Sequence, residues 1–415
     1  MLTREENELV TRVCGEAPFG QLLRTHCWIP AGISPQLAPG GAPVKIRILG
    51  EDFVAFRGAD GRIGFFDESC PHRGVSLTLA HNEDNALRCI FHGWKFSVEG
   101  RCVDVPTQPT NKEGFCRAVR VNHYPVREAA GVFWVYLGKG EPPPFHEFEF
   151  MGLPAPSHVM ATVQKVDCNW LQLVETTMDS AHLGILHATA IKSLGQIGIT
   201  KDYLAPTFET ELKPYGFRYA SIRGMNDGRA YVRVNTFLAP WFAFIAPTDA
   251  GVQGGTVQFS TPIDDEHSLF FFCEYRRDGI DFKRLPLFAN LSDWANFPPL
   301  PPGGPDDRWG QDREAMRRGH WTGFEQNLLT EDLVVALASK PIVDRTKEQL
   351  NAADAAIVNV RRAVLQAVRE FVAGETPACV RRAEVDEPSI VPLADVIPDA
   401  ARWRDYFSPP VSSRA

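Results

Sequence analysis

Two short clusters, Cys70-Pro71-His72 and Cys89-Ile90-Phe91-His92, each offer one thiol and one imidazole, with sixteen residues between them. This constrains the fold more than any other feature, because two loops must meet around whatever the four side chains hold. Gly74 and Gly93 follow the two pairs and permit tight backbone there. Three readings compete. Zinc accepts these donor types, but its common spacings pair Cys with Cys and His with His. A [2Fe–2S] centre with two cysteines on one iron and two histidines on the other takes one ligand of each kind from each loop, and neutral imidazoles raise its potential. The third reading is four residues with no metal role. The mixed pairing favours the iron–sulfur centre.

The surroundings of the clusters read as strands. "VKIRILGEDFVAF" alternates around Gly50-Glu51, and "RGADGRIGFFDE" carries an Asp60-Gly61 hairpin signal. Short β-rich segments continue through "VNHYPVREAAGVFWVYLG", and "EPPPF" at 141–145 reads as a domain exit. Beyond it "NWLQLVETTMDSAHLGILHATAI" is helical in length and composition, with Trp170, Leu173, Val174 and Met178 near a 3.6 period. A second β-rich block spans about 207–275. "FPPLPPGGPDDRWG" reads as a long, mobile surface excursion. "EDLVVALASK" and "DAAIVNVRRAVLQAVREFVAG" read as helices, the latter with an apolar stripe of Ile357, Val360, Val364, Val368 and Phe371 and a stop at Gly374. The expected fold is a small all-β module ahead of a larger α+β module.

His182 and His187 are five residues apart, about 140° round an ideal helix, which suits one metal poorly. A local widening or break, made cheap by Gly184, brings them together. Asp179 precedes His182 by three residues, about one turn, so its carboxylate can sit beside that ring. On spacing alone, two histidines on a helix are more often structural than metal-binding.

Together these stretches resemble the terminal oxygenase components (alpha subunits) of the Rieske non-haem iron oxygenases, a ring-hydroxylating and demethylating group, and most closely its phthalate-dioxygenase-like branch. "CPHRG" and "FHGWKF" match the Rieske signature. The likeness continues through "CNWLQLVETTMDSAHLGILH", "PIDDEH" (262–267), "QDREAMRRG" (311–319) and "PIVDRTKEQL" (341–350). The resemblance implies an α+β chain in three parts: an N-terminal segment (1–42) packing on the catalytic domain, an all-β Rieske domain (43–145), and a larger catalytic domain (146–415) with an antiparallel sheet flanked by helices. It assigns Cys70, His72, Cys89 and His92 to the [2Fe–2S] cluster. It assigns His182, His187 and an acid to a mononuclear Fe(II) with positions open for O2. Asp332 is the expected acid, with Glu331 and Asp344 as rivals; Asp332 is also favourable simply as an acid near a helix N-terminus.

The same resemblance implies NADH-derived electrons delivered by a ferredoxin or flavin reductase. It also implies a head-to-tail homo-oligomer, usually a trimer, in which Asp179 bridges His72 or His92 of one subunit to His182 of the next. Arg73 and Trp94 flank the cluster histidines but are equally ordinary as a surface arginine and a core tryptophan. The branch handles aromatic carboxylates, aryl methyl ethers and some N-methyl compounds. Leu183 stands where a serine is common, and Ser339 and Lys340 where methionine and glycine are common. These departures suggest a more apolar pocket with a nearby cation, and tilt the expected reaction from cis-dihydroxylation of a phthalate-type substrate to monooxygenation, including O-demethylation. Arg218, Arg223, Arg229 and Arg233 are further partners for a substrate carboxylate, or solvated strand charges.

Charge and composition remove other classes. A net charge of −8 without a long basic run speaks against nucleic acid. No run of 18 apolar residues marks a membrane span, the N-terminus lacks a signal-peptide pattern, and nine scattered cysteines suit a reducing cytoplasm. A pure Rieske electron carrier explains Cys70 to His92 but leaves the later residues, with His182 and His187, without purpose.

Overall fold

The computed structural model describes residues 1–289, 291–381 and 385–407. Residues 408–415, within the expected catalytic domain, lie outside the described residues. The chain divides into two compact units.

One unit comprises Val13–Glu16 and Gly20–Pro143. It is built from three small antiparallel sheets. Strands Val44–Ile48, Glu51–Arg57 and Ile63–Asp67 form the first. Leu49 and Gly50 both take positive φ (52° and 82°), giving the two-residue turn whose twist suits the flanking strands. The second has four three-residue strands, His81–Glu83, Ala86–Arg88, Lys95–Ser97 and Cys102–Asp104. The third pairs Ile29–Ile33 with Val132–Val135, and that with Val126–Ala129. Val54, Phe56, Phe66, Leu77, Leu87 and Phe96 form the core beneath the two cysteine loops.

The other unit comprises Met1–Arg12, Ala17–Phe19 and the chain from Pro144 onward. Its antiparallel sheet runs, in spatial order, Val159–Val166, Ser268–Arg276, Gly254–Pro262, Phe242–Ile245, Ala230–Leu238, Gly216–Gly224 and Thr207–Lys213, with Leu393–Ile397 also pairing Ala230–Leu238. Ala230–Leu238 is buried along its whole length, as a strand covered on both faces must be. Helices Trp170–Met178 and Ala355–Val372 pack on this sheet, and Leu328–Ala338 packs on the first of them. In Ala355–Val372 the stripe Ile357, Val360, Val364 and Val368 is buried, while Phe371 is partly exposed. No helix among the described residues is long and apolar enough to cross a membrane.

Two expectations change. The N-terminal 42 residues are not one segment. Residues 1–12 join the larger unit, where Trp170 Nε1 donates to Val10 O at 3.1 Å and Asn7 Nδ2 to Val343 O at 3.0 Å. Residues 20–42 join the smaller unit, because Ile29–Ile33 completes its third sheet. The proline-rich stretch is anchored rather than loose: Phe297 is buried against Phe288, and Pro299 O accepts from Thr330 Oγ1 at 2.8 Å.

Candidate metal centres

The two cysteine loops are the same turn made twice. Cys70 N donates to Val75 O and Gly74 N to Cys70 O, both at 2.9 Å; Cys89 N donates to Trp94 O at 2.8 Å and Gly93 N to Cys89 O at 3.0 Å. Gly74 and Gly93 take φ of 73° and 72°, which a side chain would strain. A Cβ at Gly93 would also lie 2.7 Å from Pro106 Cγ. The histidine occupies the third position of one turn and the fourth of the other.

Cys70 and Cys89 are buried, and burial, helped by the Cys89 thiol beside it, pushes the Cys70 thiol up to about 11. The rings of His72 and His92 lie 4.5 Å apart at 74°, and Trp94 stacks on His72 at 4.3 Å. His92 Nδ1 is buried without a hydrogen-bond partner. A buried orphan of this kind costs about 1–3 kcal/mol unless something binds it. Two thiols, two imidazoles and that orphan fit a mixed-ligand [2Fe–2S] cluster.

In the larger unit the long helix expected around residue 170 is shorter. Asn169 caps its start, Oδ1 accepting from Leu171 N at 3.2 Å, and it ends at Met178. Strand Gly216–Gly224 takes up the carbonyls released there: Tyr219 Oη donates to Met178 O and Arg223 Nη2 to Ser180 O, both at 2.7 Å. The chain then makes the single turn Leu183–Leu186, with His182 before it and His187 after it. The departure from helix therefore falls at 179–182 and not at Gly184, as the sequence suggested. Gly184 is needed for close approach, since a Cβ there would lie 2.2 Å from Thr200 O.

His182, His187 and Asp332 each offer a ligand atom, all within 4.8 Å of one another. Asp332 Oδ1 lies 3.4 Å from His182 Nε2 and 3.2 Å from His187 Nε2. Asp332 sits in the second turn of Leu328–Ala338 rather than ahead of it. Glu331, expected only as a rival ligand, turns the other way: its Oε2 lies 2.7 Å from His187 Nδ1, and its Oε1 accepts from Thr322 Oγ1. With Nδ1 donating to that carboxylate, His187 Nε2 presents a lone pair. It faces Asp332 Oδ1, and both atoms are buried and without a hydrogen bond. Two acceptors so placed are stable only with a proton or metal cation between them.

The electrostatics agree. Burial alone would depress His187, yet Asp332 and Glu331 outweigh it and lift the imidazole to about 9. The site attracts a cation, and two imidazoles with one carboxylate fit non-haem iron. Asp344 does not belong to this group; it is held by Lys347 and Thr346. Asp179 ends the helix, with Oδ2 3.5 Å from His182 Nδ1 and Oδ1 accepting from Ala181 N at 2.7 Å.

A cavity of about 340 Å³ opens on His182, His187 and Asp332 and is walled largely by apolar side chains, among them Leu183, Ile197, Phe270 and Phe288. Lys340 and Ser339 are exposed at the far end of their helix and do not line it. Nor are three of the arginines singled out above available: Arg223 holds Ser180 O, Arg218 reaches Phe407 O at 2.9 Å, and Arg229 pairs with Asp227 outside. Arg233 lines the cavity but spends its two terminal nitrogens on Ala246 O and Pro247 O.

Sequence reasoning missed Arg276 and Glu274, which share the face of Ser268–Arg276 that carries Phe270 and Phe272. Arg276 is 8% exposed, its Nη2 lies 2.6 Å from Glu274 Oε1, and its Nη1 is buried with no partner among the described residues. Burial raises Glu274 above the usual carboxylate range. The alternation of strand residues could have flagged the pair, but not the cavity it faces.

The chain is similar to known proteins over nearly its whole length. Residues 27–125 match the Rieske [2Fe-2S] domain and residues 135–413 the LigXa C-terminal domain like family. The phthalate 4,5-dioxygenase oxygenase subunit of Pseudomonas putida is 36% identical over 98% of this chain and 95% of its own length. The 5,5'-dehydrodivanillate O-demethylase oxygenase subunit of a Sphingobium species is 29% identical over 96% and 88%. Among solved structures, dicamba monooxygenase bound to dicamba superposes with a TM-score of 0.60 at 18% identity, covering 85% of this chain and 99% of that one, a likeness of fold. The chain belongs to the Rieske non-haem iron oxygenases, as a terminal oxygenase component of the phthalate-dioxygenase-like branch whose cofactors are a [2Fe–2S] cluster and a mononuclear iron.

Proposed function

We propose that this chain monooxygenates an aromatic carboxylate, by hydroxylation or O-demethylation, at the centre formed by His182, His187 and Asp332. The observation that carries the reading is Arg276 Nη1, a buried cationic donor without a partner on the wall of the same apolar cavity as the three ligands. An aromatic ring suits the aliphatic and aromatic wall, and a carboxylate satisfies the arginine.

Cys70, His72, Cys89 and His92 hold the cluster in this reading, and His182, His187 and Asp332 hold the iron. When bound, the iron supplies the redox centre at which O2 is reduced with electrons relayed one at a time through the cluster. Glu331 keeps the Nδ1 proton of His187 in place, which leaves Nε2 free to ligate. Asp179, a quarter exposed beside His182, is the carboxylate that links this ring to a cluster histidine of a neighbouring subunit in a trimer. A ferredoxin or flavin reductase using NADH feeds the cluster. The scattered free cysteines support a cytoplasmic setting in this reading.

A second reading, cis-dihydroxylation, is supported by the 36% identity to the phthalate dioxygenase subunit. Incubation of iron-loaded protein with a reductase, NADH and a panel of aromatic acids separates them. Monooxygenation predicts phenol products, with formaldehyde from methoxylated acids; a cis-diol without formaldehyde establishes the second reading instead. Three irons per chain with a Rieske EPR signal are expected, and two would reduce the chain to an electron carrier.

A further inference from the structure

Cys102 and Cys116 belong to neither metal centre, yet their sulfurs lie 3.8 Å apart. Cys102 opens strand Cys102–Asp104 and is buried, while Cys116 is half-buried on the surface helix Lys112–Ala118. A disulfide requires about 2.05 Å between sulfurs. The gap from 3.8 Å is therefore about 1.8 Å, a distance that a shift of the seven-residue helix, whose approach at residues 109–113 is exposed, would close.

That helix is tied to both cysteine loops. Phe115, next to Cys116, sets its ring edge-on to Trp94 at 5.3 Å, and Trp94 stacks on His72. Lys112 pairs with Asp104, Asp104 Oδ2 lies 2.9 Å from Arg88 Nη1, and the same nitrogen donates to Gly93 O at 2.8 Å. Cys102 itself lies in the core that contains Cys70, Cys89 and Trp94. A shift of the helix toward Cys102 is thus transmitted to His72 through the rings of Phe115 and Trp94, and to Gly93 O through Asp104 and Arg88.

We infer that Cys102 and Cys116 form a peroxide-sensitive dithiol that closes to a disulfide and perturbs the two cysteine loops. Cys116, the more accessible sulfur, attacks a peroxide as thiolate; the O–O bond breaks, giving a sulfenic acid and releasing hydroxide, which becomes water with the thiol proton. The Cys102 sulfur then attacks the sulfenic sulfur. The S–S bond forms, and the departing hydroxide takes the second thiol proton. In sum two thiols and one H2O2 give one disulfide and two waters, with two electrons passing from sulfur to peroxide. Cys102 is the resolving partner because it is the buried sulfur of the pair, which leaves the half-buried Cys116 to meet the peroxide first.

The test uses the iron-loaded protein, stoichiometric hydrogen peroxide, alkylation of remaining thiols and peptide mass mapping. The expected result is a 102–116 crosslink that dithiothreitol reverses and that is lost in Cys116→Ser and Cys102→Ala. Mapping reads the crosslink whatever becomes of the cluster. Peroxide that leaves both cysteines alkylatable, or drives Cys116 to sulfinic acid with Cys102 free, overturns the dithiol. The coupling rests on the cluster ligands proposed above and is read separately, as a change in the visible circular dichroism of the cluster that dithiothreitol reverses and Cys116→Ser lacks. A crosslinked protein whose spectrum matches the treated Cys116→Ser variant overturns the coupling and leaves the dithiol standing.

Discussion

His187 Nδ1 lies 2.7 Å from Glu331 Oε2, and both side chains are buried. The residue after Glu331 is Asp332, which faces the other nitrogen of the same ring. Two adjacent acids on one helix therefore grip opposite sides of one imidazole. Glu331→Gln keeps the shape but removes the charge that fixes the ring's tautomer. Iron affinity at this centre should fall about 10–100-fold with cluster content unchanged. Titration of iron into protein stripped of mononuclear iron measures this, and an unaltered affinity would show that Asp332 and the histidines suffice.

Gly184→Ala places a methyl group where Thr200 O already sits. The one-turn helix or the segment around Thr200 must move, at a cost of about 1–3 kcal/mol. The expected signature is a lower melting temperature together with reduced mononuclear iron, while the cluster's absorbance stays at the wild-type level.

Glu175 anchors the helix that leads into the iron site. Arg345 Nη2 lies 2.8 Å and Arg361 Nε 2.7 Å from its carboxylate, and Arg345 is fully buried. Glu175→Ala strands the buried Arg345, while Arg361 keeps Glu348, so chemical denaturation should show a loss of about 3–5 kcal/mol. Burial alone would raise the Glu175 carboxyl, but the two guanidiniums prevail and hold it below its ordinary range. The stabilisation is therefore complete above the unfolded-state value, about 4.3, and is lost as pH falls through the lower folded value. A Glu175→Gln protein should show a flatter acid limb of stability than wild type, and identical limbs would contradict the assignment.

Arg276→Met removes the unpartnered donor from the cavity. Glu274→Gln in the same protein avoids leaving a buried carboxylate unpaired. For aromatic acids kcat/KM should drop about 10–100-fold, the worth of a charge-assisted contact, while methyl esters of the same acids are turned over at unchanged rates. An equal loss for acids and esters would mean that the pair only supports the cavity wall.

Asp179→Asn retains the size and the cap but loses the charge. Both metals should remain, as iron content and EPR report, while NADH-driven turnover nearly disappears. Wild-type steady-state rates in this variant exclude the bridging role.

Much of this was legible in the sequence because the informative residues act over short distances. Cys70 to His92 form two local turns, so ligand spacing and glycine positions alone point to paired loops. The strand alternation of residues 43–67 and the apolar stripe of 355–372 are likewise set by neighbours in sequence. The shortened iron helix was not legible, since its end is imposed by Tyr219 and Arg223 from a strand some forty residues away. Glu331 and Asp332 are chemically alike, and only the tertiary placement of Leu328–Ala338 sets one toward Nδ1 and the other toward Nε2 of His187. Arg276 stayed hidden because a strand arginine reads as solvated until the sheet's covered face is known. The division of the first 42 residues depended on long-range pairing of Ile29–Ile33 with Val132–Val135.

The repeated cysteine turn has one more consequence. Each copy is closed by backbone bonds of its own, between residues four or five apart, so its curvature is set locally by the chain. A seat of that kind is preshaped: stripping iron and sulfide should leave both turns in place, and refilling from ferrous salt and sulfide under reduction should succeed on the folded chain, with no denaturing step.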